Sequence, residues 1–171
     1  MKIWASAVFS VLLTGCAYNW HPVVPDGLRT IVVPTFENRS EVTELGAVTT
    51  RQILREIQRE GTFAVGSGDR SALELQGVIE SSRSKAQGDR RLVGSRGVSA
   101  DLEVVARVSL IDKARGAILF DNRTYRAVAQ YTSGDDVMTG ERNASGRAAE
   151  DLARQIVDDI VMFNYSKGGA K

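Results

Sequence analysis

Residues 29–36 carry a short β-branched run, Ile31-Val32-Val33, closed by Pro34. Such a run predicts a buried strand, and the proline places an edge, an end or a bulge within it. Val42, Leu45, Thr49, Ile53 and Ile57 then fall on one face of a helix, with Glu44, Arg51, Arg55, Gln58 and Arg59 on the other. Ser40 or Thr43 is the expected cap, Glu41 and Glu44 suit the first turn, and Gly61 stops the helix. The spaced arginines could grip an anion, but a charged row opposite an apolar row reads first as a solvated face. Residues 63–65 predict a short strand before a turn at 66–69. Leu73, Leu75, Gly77 and Ile79 alternate with polar neighbours, as do Leu102, Val104, Ala106, Val108 and Leu110, which is the period of half-buried strands. A turn at 112–116 leads in hairpin fashion to a strand from 117 to about 131. Residues 132–145 are polar and read as an exposed loop, after which Ser145 is the expected cap of a second helix. Ala149, Leu152, Ala153, Ile156, Ile160 and Phe163 form its apolar stripe.

One-faced helices and one-faced strands are satisfied together by burying those faces against each other. The expected fold is therefore α+β, a two-layer sandwich of about four mostly antiparallel strands with two helices packed on one face. Residues 28–165 make a single domain and residues 166–171 a fraying tail. Pro22, Pro25 and Gly27 deny residues 17–28 a helix or a central strand, so this stretch reads as a tether. Its Tyr18 and Trp20 either pack back on the first strand or sit at a membrane interface.

Ahead of the tether, Lys2 precedes an apolar run from Ile3 to Leu13. It is shorter than the ~20 residues of a membrane span but suits the h-region of a secretory signal. Leu13-Thr14-Gly15-Cys16 then resembles a bacterial lipobox, with cleavage before a lipidated Cys16. Small residues fit a peptidase groove beside the cut, and the thiol is the nucleophile that takes the lipid. The plainer reading is an ordinary signal peptide that leaves Cys16 as a free thiol. A palmitate-bearing anchor with several chains holds stably where one chain would not. Residues 1–15 are accordingly the expected signal peptide and 16–27 the lipidated cysteine and tether. Ala17 stands where an aspartate would favour the inner membrane, so the expected location is the periplasmic face of the outer membrane of a Gram-negative cell.

With Lys2 removed, basic and acidic side chains balance at 21 each. No global field draws the protein to nucleic acid, so any electrostatic function is local. Cys16 is the only cysteine and His21 the only histidine. A serine triad, a multi-histidine metal site and a disulfide framework are hard to assemble from this inventory, and no phosphate loop or dinucleotide fingerprint occurs. The expectation is a protein that is not an enzyme, with no cofactor and no metal. The one local excess of charge lies in residues 81–99, where Arg83, Lys85, Arg90, Arg91 and Arg96 face Asp89 alone. These five are the candidate contact for an anion, through charge-assisted hydrogen bonds. A flexible, solubilising connection is the alternative.

Tyr18-Asn19-Trp20 after the cysteine, and Leu28-Arg29-Thr30-Ile31-Val32-Val33-Pro34-Thr35-Phe36-Glu37-Asn38-Arg39-Ser40, resemble the opening of the LPS-assembly lipoprotein family, the LptE-like proteins. Arg55-Glu56-Ile57-Gln58-Arg59-Glu60-Gly61-Thr62-Phe63, Leu73-Glu74-Leu75-Gln76-Gly77-Val78-Ile79 and Ala148-Ala149-Glu150-Asp151-Leu152-Ala153 continue the likeness. The resemblance implies a lipoprotein that serves as plug and assembly partner of the outer-membrane β-barrel exporting lipopolysaccharide, and that binds lipopolysaccharide. Residues 81–99 align with no binding motif of that family. Envelope lipoproteins that activate a cell-wall synthase or form part of a secretion channel share the same opening strand and Phe-x-Asn segment, and stand as the alternative.

Overall fold

The computed structural model describes residues 24–87, 98–133 and 137–165. In chain order its elements are β1 (Thr30–Val32), β2 (Glu37–Asn38), α1 (Leu45–Glu60), β3 (Ala64–Val65), β4 (Leu73–Gln87), β5 (Val98–Asp112), β6 (Ala117–Ser133) and α2 (Val137–Val161). The strands form one sheet in the order β3-β1-β4-β5-β6, with β2 also beside β4. Both helices pack on one face, α1 toward the β3 and β4 side and α2 over β5 and β6. The α+β sandwich is as expected, but the sheet has six strands rather than about four. Pro34 splits the first strand into β1 and β2, and the short strand expected at 63–65 joins the same sheet as β3. The sheet is also mixed: β4, β5 and β6 are antiparallel, whereas β1 runs parallel to β3 and β4, and β2 parallel to β4.

The break at Pro34 decides a packing contact. Val32 pairs with Glu74 and Glu37 with Val78, so the β1–β2 segment spends one residue more than β4 over the same span. An extra residue reverses which side chains face the core. Ile31 and Val33 point inward before it and Phe36 after it. Phe36 then lies against Gly77, where a Cβ would come within 2.1 Å of the ring, and its carbonyl lies against Gly46 of α1. Its N–H donates to Thr50 Oγ1 at 2.9 Å, and that hydroxyl donates to the Gly46 carbonyl.

Each helix starts otherwise than its polar residues suggest. Neither Ser40 nor Thr43 caps α1: the cap position is Glu44, left-handed at φ 65°, and no acid lies in the first turn. Ser40 instead bonds Asn38 Oδ1 through both its N–H and its hydroxyl, a local turn that competes with capping. Gly61 ends the helix as expected, left-handed, with its N–H donating to the Ile57 carbonyl. Ser145 does not open α2, which begins at Val137; its hydroxyl bonds back to the Arg142 carbonyl at 2.8 Å inside the helix. The expected loop at 132–145 is therefore mostly strand end and helix.

The core lies between the layers. Ile53 and Ile57 of α1, Leu152 and Ile156 of α2, and Leu75 and Leu102 of the sheet are fully buried. Each such side chain contributes roughly 1.5–3 kcal/mol of burial.

Candidate functional site

The sequence places its excess of positive charge in a connection, but the structure makes much of that segment strand. β4 continues to Gln87 and β5 begins at Val98, so only residues 88–97 lie between them. Arg90, Arg91 and Arg96 fall there, outside the described residues, as does Cys16. Arg83 and Lys85 sit on the hairpin stem. A register shift between Ile79 and Ser81 marks a bulge at Glu80, which turns the distal half of β4 over. Before it Leu73, Leu75 and Ile79 face the helices; beyond it Ser82 and Ser84 do, opposite buried Val104 and Leu102. Arg83 and Lys85 consequently lie exposed on the outer face, directly opposite Glu103 and Asp101 of β5. Opposite charges across a ladder attract each other, so these two cations meet carboxylates within the sheet before any ligand arrives.

An open groove of about 1260 Å³ runs along this stem. One wall is the turn before α1 and its first residues, the other the first turns of α2, and between them lies β4 from Glu80 to Lys85. Two cations that sequence reasoning missed line it, Arg51 from α1 and Arg142 from α2. Arg51 was part of a row read as solvated, and Arg142 lay in the expected loop. The spacing of Met138, Arg142 and Ser145 is the helical signal that could have placed the latter. Arg39 at the rim is engaged, because its hydrogen bond to Glu37 holds that carboxyl below the usual carboxylate range. Glu80 forms an ion pair with Arg107, and Glu141 accepts from Ser84. No cluster of three potential metal ligands occurs among the described residues.

A second polar cluster lies where α2 ends. Asp159 reads from sequence as a solvated carboxylate, yet it accepts from Arg123 at 2.6 Å and from the Tyr125 hydroxyl. The Arg123 guanidinium lies 4.3 Å from the centre of the Phe120 ring, which in turn meets Phe163 edge-on. These groups fasten the end of α2 to β6, and nothing in their arrangement turns over a substrate. Burial, reinforced by the bond to Asp159, pushes the Tyr125 hydroxyl above its ordinary value. The fold then holds that proton more tightly than the unfolded chain does. The corresponding stability is complete below pH ~10, the ordinary tyrosine value, and is lost as pH rises beyond it. Urea unfolding between pH 8 and 11 should show the wild type losing stability more steeply than Tyr125→Phe above pH ~10; parallel profiles would exclude this linkage.

Residues 28–160, which include all six strands and both helices through Ile160, match the family model of LptE, described as lipopolysaccharide-assembly. The chain belongs to the LptE family. LptE proteins act in lipopolysaccharide assembly and are not enzymes, and the family points to an outer-membrane lipoprotein. No curated protein matches the chain. Among solved structures, a hypothetical protein from Chlamydia trachomatis is similar at 11% identity and a TM-score of 0.59, covering 81% of this chain and 98% of that one. A protein from Xanthomonas campestris is similar at 13% identity and a TM-score of 0.56, over 86% and 94% of the two chains. A minor lipoprotein from Acinetobacter baumannii follows at 13% identity and a TM-score of 0.53, over 78% and 93%. Identities this low show a shared fold alone. Among the described residues of this LptE chain, no helix is long and apolar enough to cross a membrane.

Proposed function

We propose that this protein is an outer-membrane lipoprotein, lipidated at Cys16 and held on the periplasmic face, that assists lipopolysaccharide export as plug and assembly partner of a β-barrel translocon. The observation that carries the reading is the LptE family match across residues 28–160. The chemistry is consistent with it. A lipid tether of residues 16–27 joins a domain whose polar clusters fasten structure, and whose long hairpin carries its cations toward one end. Capture of the native complex from solubilised envelopes is the deciding experiment. Recovery of an export barrel upholds the reading, and recovery of a cell-wall synthase or a secretion channel replaces it.

Arg90, Arg91 and Arg96, with Arg83 and Lys85 on the stem, are the proposed lipopolysaccharide contact. Charge-assisted hydrogen bonds to phosphate are roughly twice as strong as neutral ones, and exposed ones weaken as salt rises. Alanine at all five positions should weaken lipopolysaccharide binding at least about tenfold at low salt, a change of about 1.4 kcal/mol, and less at high salt. Arg90, Arg91 and Arg96 should account for most of the loss, because Arg83 and Lys85 already face Glu103 and Asp101. Surface plasmon resonance over a salt series measures it, and unchanged binding removes the contact while leaving the barrel role intact.

A further inference from the structure

The sheet has two long edges, and they are treated differently. Among the described residues β6 pairs only with β5, so its outer edge could recruit another strand. Two carbonyls of its distal half are taken by α2: Arg147 donates to the Gln130 carbonyl at 2.5 Å and Gln155 to the Arg126 carbonyl at 3.1 Å. On the other side, β2 leaves β4 at Ile79, and the Arg39 N–H donating to the Ile79 carbonyl is the last backbone bond there. Beyond it, residues 81–87 of β4 have no strand on that side among the described residues. The groove opens along this uncovered edge.

We propose that residues 81–87 accept an added β-strand from a partner protein, an extended segment with carboxylates on both of its faces. Main-chain hydrogen bonds to an open edge supply the attachment, and the neighbouring side chains supply the choice of sequence. Arg83 and Lys85 flank the edge on the outer face, while Arg51 and Arg142 line the groove on the helix side. Arg83 and Lys85 face Glu103 and Asp101 across the ladder on the β5 side and extend along the open edge on the other, while Arg51 and Arg142 form no ion pair among the described residues. Glu41 and Glu44 stand on the far wall, whereas the carboxylates beside the strand, Glu80 and Glu141, are already engaged. An added strand therefore meets cations on both of its faces.

The occupant is not a second copy of this chain. Two β4 edges paired antiparallel about a two-fold axis bring residues of the same face beside each other. In any such register near the middle of 81–87, Arg83 and Lys85 of one copy approach Arg83 and Lys85 of the other. Like charges opposite or diagonal across a ladder repel, and such charges are a usual protection of an edge against self-pairing. A strand of opposite charge evades that protection. The proposal stands independently of the barrel reading, since it names the chemistry of the segment and not the complex that supplies it.

Backbone amide exchange by NMR on the ¹⁵N-labelled full chain tests it, with an acetylated heptapeptide carrying glutamate at consecutive positions as probe and its lysine counterpart as control. The glutamate peptide should slow exchange of outward-pointing amides within 81–87 about tenfold at ten times its Kd, and leave β6 unchanged. Arg83→Glu with Lys85→Glu should transfer the effect to the lysine peptide. Arg51→Glu with Arg142→Glu, which leaves the outer face intact, should weaken binding of the glutamate peptide. Equal protection by both peptides, protection produced by raising protein concentration alone, protection by lipopolysaccharide micelles but not by peptide, or no protection would each overturn the proposal.

Discussion

Replacing Leu152 with alanine should lower the free energy of unfolding by about 2–5 kcal/mol. Leu152 is fully buried midway along α2, where the helix packs on β5 and β6 and against α1. Truncation removes the transfer free energy of the lost methyl groups and leaves a cavity between layers that cannot close independently. Total stabilities of natural domains are about 5–15 kcal/mol, so the loss is a large share of the whole. The chain has one cysteine, so no intrachain disulfide offsets it. Urea unfolding followed by far-UV circular dichroism should show a lower midpoint at an unchanged slope. Met162→Ala, at a residue 58% exposed just past the same helix, should stay within about 0.5 kcal/mol and serves as control. Equal effects at the two positions would contradict the assignment of the core.

The second large effect comes from adding atoms. Gly77→Ala should destabilise by about 1–3 kcal/mol, because the new methyl would stand 2.1 Å from the Phe36 ring. That ring cannot swing away: it is 3% exposed, and its backbone is held by Thr50 Oγ1 on one side and crowded by Gly46 on the other. The smaller conformational freedom of alanine in the unfolded chain returns only about 0.4–1 kcal/mol. Phe36→Leu in the Gly77→Ala background should recover part of the loss, giving a coupling of about 0.5–3 kcal/mol in a double-mutant cycle. Strict additivity would show that the two positions do not share this space.

This pair explains how far the fold was legible. The alternation at Leu73, Leu75 and Ile79 marked Gly77 as inward, and Phe36 was visible as an apolar residue after a proline. Their meeting was not visible, because it depends on the one extra residue around Pro34. The same limit applies to β4. Its distal half carries Ser82 and Ser84 at the helix-facing positions, so no apolar alternation announced a strand, and residues 81–99 read as a connection. The start of α2 was missed for a related reason. It extends along the groove beside α1's beginning, where Gly140, Asn143 and Gly146 are tolerated and no continuous apolar stripe is required.

Of the candidate site, local charge was readable and its geometry was not. Composition alone singled out Arg83 and Lys85, but the carboxylates facing them lie on the next strand, at a register fixed by the bulge. Arg51 and Arg142 are 91 positions apart in a chain whose topology alone brings them to one groove. Asp159 shows the converse: a residue on a charged helical surface acquires a half-buried and a buried partner because β6 delivers Arg123 and Tyr125 beneath it.

The bulge at Glu80 also limits how such a hairpin changes in the course of descent. Adding two residues to each of β4 and β5 extends it by about 6.6 Å and keeps every side chain on its own face. Adding or losing one residue in β4 anywhere but at the bulge exchanges the faces of everything beyond. Reach can therefore vary only in steps, whereas orientation is a two-way choice held by a single position. Straightening the strand with Glu80 retained would carry Arg83 and Lys85 toward the helices, whereas deletion of Glu80 would join Ile79 to Ser81 in an unbroken register with Ala106 and Val105 and leave Ser82 and Ser84 facing inward.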